Sequence, residues 1–134
     1  MNWDWIPGVR VGPFFFGAPL PHVEDVELCL LEPDYEDADW QTYRVGDEEA
    51  RVSVRDGVVT DLECTKSLKY LGRSELLGLS TTAVEALLGK VLVQTEQWDD
   101  GTTMYEVESL GLTLWIEGER VESATVEAVE AQAD

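Results

Sequence analysis

Apolar and polar residues alternate cleanly over residues 110–116 of this chain. Four aliphatic residues share one side of an extended strand: Leu110, Leu112, Leu114 and Ile116. Thr113 and Trp115 fall on the other side. A period of two is typical of a β-strand with one buried face. The pattern therefore predicts a strand whose aliphatic side packs inward and whose Trp115 points away from it.

The neighbouring segments predict one short helix followed by a four-stranded antiparallel meander. Ser80 is a suitable N-cap for a helix over residues 82–88, and Gly89 is suited to end it. Strand-like segments follow at 91–98, 102–107, 110–116 and 120–126. The turns between them carry Gly101 and Gly118, because glycine accepts the positive φ of tight turns.

The first half of the chain predicts the same order of elements with a weaker pattern. A helix is expected over residues 22–31, and the alternation in 50–55 and 58–64 predicts two strands joined by an Asp-Gly turn. The acidic run 32–39 takes the place of a regular strand. Residues 1–15 are expected to form a lead-in packed down by its aromatic side chains, and residues 65–76 a linker.

Residues 16–64 and 77–126 carry one pattern twice. Gly17 corresponds to Gly78 at an offset of 61 residues, and Tyr43 to Tyr105 at an offset of 62. We therefore expect a single domain, residues 1–134, of the α+β class. It would contain two tandem α-β-β-β-β repeats, with antiparallel sheets adjacent or merged and short helices packed on one face.

The net charge is −19, from nine basic and 28 acidic residues. A nucleic-acid binder must neutralise phosphates with Lys and Arg, so we expect no nucleic-acid partner, and no anionic membrane surface either. Long-range attraction would instead steer a basic protein to this chain. An acidic composition is also typical of salt-adapted organisms, which is the alternative explanation. With no signal-peptide pattern at residues 1–16, we expect a cytoplasmic protein.

Candidate catalytic and metal-binding residues are few. His22 is the only histidine, so neither a zinc site nor a nucleophile–histidine pair is predicted. An EF-hand loop starting at Asp34 would need glycine at its sixth position and glutamate at its twelfth. The chain has Asp39 and Val45 there, so the EF-hand pattern does not match. Cys29 and Cys64 lie in apolar segments and are expected to be buried thiols, with a disulfide as the alternative. We predict no catalytic residue, no metal and no cofactor.

Acidic and aromatic residues gather at the first hairpin of each unit and on the strand face that carries Trp115. They are Asp34, Tyr35, Glu36, Asp37, Asp39, Trp40, Trp98, Asp99, Asp100 and Trp115. Tryptophan and tyrosine are favoured in binding sites because they bury a large area at low entropic cost. These residues are therefore the predicted partner-binding surface. The alternatives are a solvated acidic loop and tryptophans that pack within the protein.

Residues 6–17, which begin Ile6-Pro7-Gly8 and continue through Gly12-Pro13 to Phe16-Gly17, resemble the lead segment of small bacterial toxin-immunity proteins. In those proteins such a segment precedes a short helix ending in Leu-Leu-Gly. Residues 77–80 with 87–89 fit this pattern better than the first unit, which lacks the closing glycine. The repeated helix and meander are also similar, at fold level, to the tandem units of the β-lactamase inhibitory protein.

The resemblance implies a non-enzymatic inhibitor-type protein, and together with the charge it predicts an immunity protein that occludes the active site of a basic bacterial toxin. Two alternatives from other classes stay open. One is a small-ligand-binding or enzymatic domain with a site between the two repeats. The other is a structural module that forms homo-oligomers through an exposed sheet edge.

Overall fold

The computed structural model of the chain describes residues 3–24, 26–31, 40–47 and 50–128. These residues form mostly β-structure with one α-helix, α1 (Thr81–Leu88), and one short 3-10 helix, Glu108–Leu110. The strands are β1 (Asp4–Ile6), β2 (Arg10–Val11), β3 (Phe14–Phe15), β4 (Leu28–Leu31), β5 (Trp40–Val45), β6 (Ala50–Arg55), β7 (Val58–Cys64), β8 (Lys69–Tyr70), β9 (Ser74–Glu75), β10 (Val93–Gln97), β11 (Thr103–Val107), β12 (Leu112–Glu117) and β13 (Arg120–Glu127).

Eight strands form one antiparallel sheet in the order β10-β11-β12-β13-β7-β6-β5-β4. It consists of two four-stranded meanders that join through their last strands. The joint between β13 and β7 pairs Thr125 with Glu63 and Val126 with Leu62. The two meanders therefore merge into a single continuous sheet whose outermost strands are β4 and β10.

A second, smaller sheet has the order β3-β2-β1-β8-β9. It brings the lead-in and the predicted linker together, because β1 pairs in parallel with β8 and places Trp5 opposite Tyr70. The aromatic side chains of the lead-in pack as expected: Trp3 stacks on Phe14 with 6.1 Å between ring centroids. Residues 65–76 thus contribute two short strands, β8 and β9, to a sheet and are more than a simple linker.

The aliphatic face of the large sheet forms one core with the small sheet and α1. Val52 and Leu114, near the middle of the two meanders, are fully buried, as are Trp5 and Phe14 of the small sheet. Val84 of α1 joins the same cluster. Burial of this face explains the period of two along β6 and β12, since every second side chain must be apolar to enter the core.

The predicted helix of the second unit is confirmed. Ser80 is its N-cap, and its Oγ accepts a hydrogen bond from the backbone N–H of Ala83 at 3.2 Å. Gly89 ends the helix in the left-handed conformation, φ 66°, and its N–H donates to the carbonyl of Glu85. The Glu85 carboxylate then accepts a hydrogen bond from Leu92 N–H at 3.0 Å, which fixes the path into β10.

The helix predicted over residues 22–31 is wrong. The described residues 22–24 and 26–27 are irregular, and residues 28–31 form β4, which pairs with β5 and places Leu28 opposite Val45. Val23 and Val26 pack against the core from the irregular segment. The three-residue spacing of these valines therefore reflects burial of an irregular segment and not of a helix. In residues 28–31, pairing with β5 overrides any local helical preference. The fold is sheet-rich, with α1 the one α-helix of the described residues.

Candidate functional site

The two faces of the large sheet differ in burial. Opposite the aliphatic face lies a second face, here called the open face, whose side chains in the second meander stay partly exposed. Its members are Met104, Glu106, Thr113, Trp115, Ser123 and Thr125, each intermediate in burial. Cross-strand pairing places Met104 and Ser123 on either side of Trp115. As predicted, Trp115 points away from the aliphatic residues.

Trp98 and Trp115 form a stacked pair at one end of the open face. Their ring centroids are 5.5 Å apart and the ring planes differ by 24°. Trp98 follows β10, and its N–H donates to the carbonyl of Thr102 at 2.9 Å, which closes the hairpin. The Trp115 Nε1–H points to Thr125 Oγ1 at 3.5 Å. Trp98 is 39% exposed, so the pair presents an aromatic surface to solvent.

Two carboxylates stand beside this pair in the β10–β11 turn. Asp99 and Asp100 are both exposed, and Gly101 completes the turn at φ 92°. Asp100 Oδ1 accepts a hydrogen bond from Thr102 N–H at 2.9 Å. That backbone hydrogen bond lowers the pKa of Asp100, because it stabilises the ionised carboxylate. The turn therefore holds negative charge next to Trp98.

Further carboxylates lie on the open face near the joint between the two meanders. Asp61 on β7 lies opposite Glu127 on β13. Although the Glu127 side chain is exposed, partial desolvation raises its pKa, and the charges of Asp61 and Glu106 raise it further. Ionised Glu127 is thus held against like charges. A cation placed near these three side chains would relieve that repulsion.

Strands β5 and β6 of the first meander carry positive charge on the same face. Arg44 on β5 lies opposite Arg51 on β6, and Arg51 lies opposite Glu63 on β7. Opposite charges on neighbouring strands attract, whereas like charges directly opposite repel. The excess of negative charge on this face therefore lies on β7, β11, β13 and the β10–β11 turn.

The predicted site residues fall into two groups. Trp98, Asp99, Asp100 and Trp115 come together at one end of the sheet, whereas Trp40 begins β5 opposite Arg55. Between β10 and β5 lie six strand spacings, about 30 Å at ~4.8 Å each. The side chain of Trp40 lies outside the description, and so do Asp34, Tyr35, Glu36, Asp37 and Asp39.

Sequence reasoning missed the carboxylates at the centre of the face. Glu106 precedes buried Val107, and Glu127 follows buried Val126. Alternation along each strand alone therefore places both glutamates on the face opposite the core. Asp61 likewise precedes buried Leu62. What the alternation does not contain is the pairing of β7 with β13, which brings Asp61 to Glu127.

The remaining candidates from the sequence are a metal-binding cluster and the two cysteines. In the described part of the chain, no group of three or more His, Cys, Asp or Glu side chains is arranged to hold a metal ion. Cys64 is a buried thiol, as expected, and its burial raises the pKa to about 12. Contrary to the expectation of burial, Cys29 is half-exposed on β4, the outermost strand on its side among the described residues.

No family model, no curated protein and no solved structure matches this chain significantly. Among the described residues, none of the helices has the length and apolar character needed to cross a bilayer. The features of the molecule that bear on function are therefore its charges, its exposed aromatic side chains and the sheet itself.

Proposed function

We propose that this chain is a non-enzymatic acidic binding protein that occludes a basic protein partner. The observation that carries the proposal is the stacked pair of Trp98 and Trp115 beside the carboxylates of Asp99 and Asp100. Tryptophan faces attract Lys and Arg side chains through cation–π interactions, and neighbouring carboxylates can bind the same cations. The combination suits a positively charged protein surface.

Electrostatics favour such a partner at long and short range. The net charge of −19 attracts a basic protein and accelerates its approach. At contact, a cation near Glu127 would offset the repulsion from Asp61 and Glu106 that raises its pKa. The open face would then exchange internal repulsion for attraction across the interface.

The partner we propose is a bacterial toxin with a cationic active site, so that this chain is its cytoplasmic immunity protein. The resemblance of residues 6–17 to the lead segment of toxin-immunity proteins supports this assignment. A nuclease toxin fits the charge best, because carboxylates can occupy positions that normally bind substrate phosphates. Inhibition would come from covering the active site and would need no chemistry by this chain.

We also propose that the two meanders descend from one duplicated unit. The register supports this: Tyr43 pairs with Val52 and Tyr105 pairs with Leu114, at the same offset of 62 residues. Both units also have a register shift at the equivalent place, before Val54 and before Ile116. In this view the second copy has gained the stacked pair, since Trp115 corresponds to Ser53 at the offset of 62 residues.

The proposal is tested by capture of proteins from the native organism at low salt, followed by elution at high salt and mass spectrometry. The matched variants are Asp99→Asn/Asp100→Asn and Asp47→Asn/Asp56→Asn. Each removes two exposed negative charges from connecting turns, and an asparagine in place of Asp100 can still accept the turn hydrogen bond. A basic protein that the wild type and the second variant retain, but the first loses, supports the proposal. Equal retention by both variants contradicts it.

The acidic loop is tested in the same assay. Replacing Asp34, Glu36, Asp37 and Asp39 with Asn or Gln should weaken binding of the captured basic protein and reduce the salt dependence of its affinity. If affinity and salt dependence are unchanged, the loop is not part of the interface. The binding surface would then be confined to the second meander.

A further inference from the structure

The side chains of strand β10 are more exposed than the position of this strand at the edge of the sheet would by itself explain. Among the described strands it is the outermost at one side of the large sheet, and β11 is its one partner there. All five of its side chains are exposed, including Val93 at 60%, and Val91 just before it is 76% exposed. Neither face of β10 is covered within the described part of the chain, and its outer edge has no neighbouring strand there.

The backbone of this edge can accept another strand. Trp98 N–H donates to Thr102 within the hairpin, so the backbone groups of Gln97 point the other way, out of the sheet. Gln97 lies opposite Thr103, the position expected for a pair without mutual hydrogen bonds. An outward N–H and C=O next to Trp98 are what an added strand needs for pairing.

We propose that the partner adds an extended segment to β10 as a ninth strand of the large sheet. This inference rests on the proposed function and specifies how the partner is held. Main-chain hydrogen bonds from Gln97 would anchor the segment, and Val93 and Trp98 would supply apolar contact. The added strand would lie beside the acidic turn and the stacked tryptophans.

The segment should be cationic rather than a second copy of this chain. Glu96 lies on the edge itself, and Asp99 and Asp100 follow in the turn after Trp98, so an added strand rich in Lys or Arg meets opposite charges. Two copies paired through β10 would bring these carboxylates together, and each copy carries a charge of −19.

The first test compares Gln97→Pro with Gln97→Ala. Proline removes the outward N–H and introduces a ring at the edge, but it costs the β10–β11 ladder no hydrogen bond. Alanine keeps the N–H and removes the same side chain, so it is the matched control. The probe is a blocked synthetic peptide in which lysine and threonine alternate, and binding is followed by tryptophan fluorescence. The Pro variant should bind it about tenfold more weakly than the Ala variant.

The second test keeps the wild-type protein and changes the peptide. A copy with every backbone amide N-methylated keeps the lysine charges but lacks the donors that pair with β10. The unmodified peptide should bind about tenfold more tightly and slow hydrogen exchange at the Gln97 amide. Because the protein is unaltered, this comparison stands even if the Pro variant fails to fold.

The outcomes separate this inference from the proposed function. Equal binding of both peptides, lost in Asp99→Asn/Asp100→Asn, would overturn strand addition and leave the acidic binding surface in place. If neither peptide binds, strand addition is overturned. The capture experiment tests the proposed function independently of that result. If the protein alone sediments as a dimer and Gln97→Pro abolishes that dimer, the strand added to β10 comes from a second copy of this chain. That result would overturn the proposal of a cationic segment.

Discussion

The indole rings of Trp98 and Trp115 stack at a centroid distance of 5.5 Å, although the two residues are 17 positions apart in the chain. Trp98 follows β10, and Trp115 lies on β12, two strands away in the sheet. The contact ties the acidic turn to the open face. It therefore presents aromatic side chains and carboxylates as one surface.

This pair predicts an energetic coupling. Stacked aromatic pairs contribute about 0.5–1.5 kcal/mol beyond their buried area, so the double variant Trp98→Ala/Trp115→Ala should lose about 1 kcal/mol less free energy of unfolding than the two single variants together. Chemical denaturation of the four proteins measures this. Losses that add fully would show that the rings do not stabilise one another in solution.

The raised pKa of Glu127 predicts that removing its negative charge increases the free energy of unfolding at neutral pH. Its pKa is raised in the folded protein above the usual 4.5 by partial desolvation and by the charges of Asp61 and Glu106, so the folded state binds more protons than the unfolded state above that pH. The free energy of unfolding therefore falls as pH rises from 4.5 through the raised value. Glu127→Gln should raise the melting temperature at pH 7 and have little effect well below pH 4.5.

The control for that comparison is Glu24→Gln. Glu24 is exposed in the irregular segment before β4, and its replacement lowers the same net negative charge by one. Any stabilisation from reduced overall repulsion appears in both variants. Equal melting temperatures for the two variants at pH 7 would show that Glu127 is not held against local like charges.

Sequence reasoning succeeds where a signal is local and fails where it depends on strand pairing. The Ser80 cap, the Gly89 stop and the alternation of Leu112, Leu114 and Ile116 each reflect a rule that operates within a few residues. The helix predicted to include residues 28–31 is wrong because nothing local reveals their partner β5. A distant neighbour decides the structure there.

The candidate site shows the same division. The Asp99-Asp100-Gly101 turn could be predicted from its residues, and the outward direction of Trp115 from its strand. The stacking of Trp98 on Trp115 could not, since it depends on the register between β10, β11 and β12. Grouping Trp40 with these residues follows from the repeat pattern, which does not reveal that β5 and β10 lie far apart in the sheet.

Gly17 and Gly78 have similar surroundings in the two units, which predicts that the same substitution at either glycine destabilises the protein equally. Gly17 and Gly78 have φ values of 80° and 88°, and each donates its N–H at 2.8 Å to a strand carbonyl, that of Val59 or Val121. An added Cβ would meet nothing within 4 Å at either position, so alanine costs only backbone strain, about 1 kcal/mol.

Chemical denaturation of Gly17→Ala and Gly78→Ala should therefore give similar losses, and asparagine, which tolerates a left-handed backbone better, should cost less at both sites. A large loss at one glycine and none at the other would show that the two positions are not structurally equivalent. It would also remove one support for the proposed duplication.

The central claim is that the acidic turn and the stacked tryptophans form the contact with a basic protein. The most direct measurement is the dissociation constant of the captured basic protein at low and high salt, for the wild type, Trp98→Ala and Asp99→Asn/Asp100→Asn. We predict weaker binding by both variants, with a smaller salt dependence for the Asn variant alone, because only that variant removes charge. Wild-type affinity and salt dependence in both variants would contradict the claim.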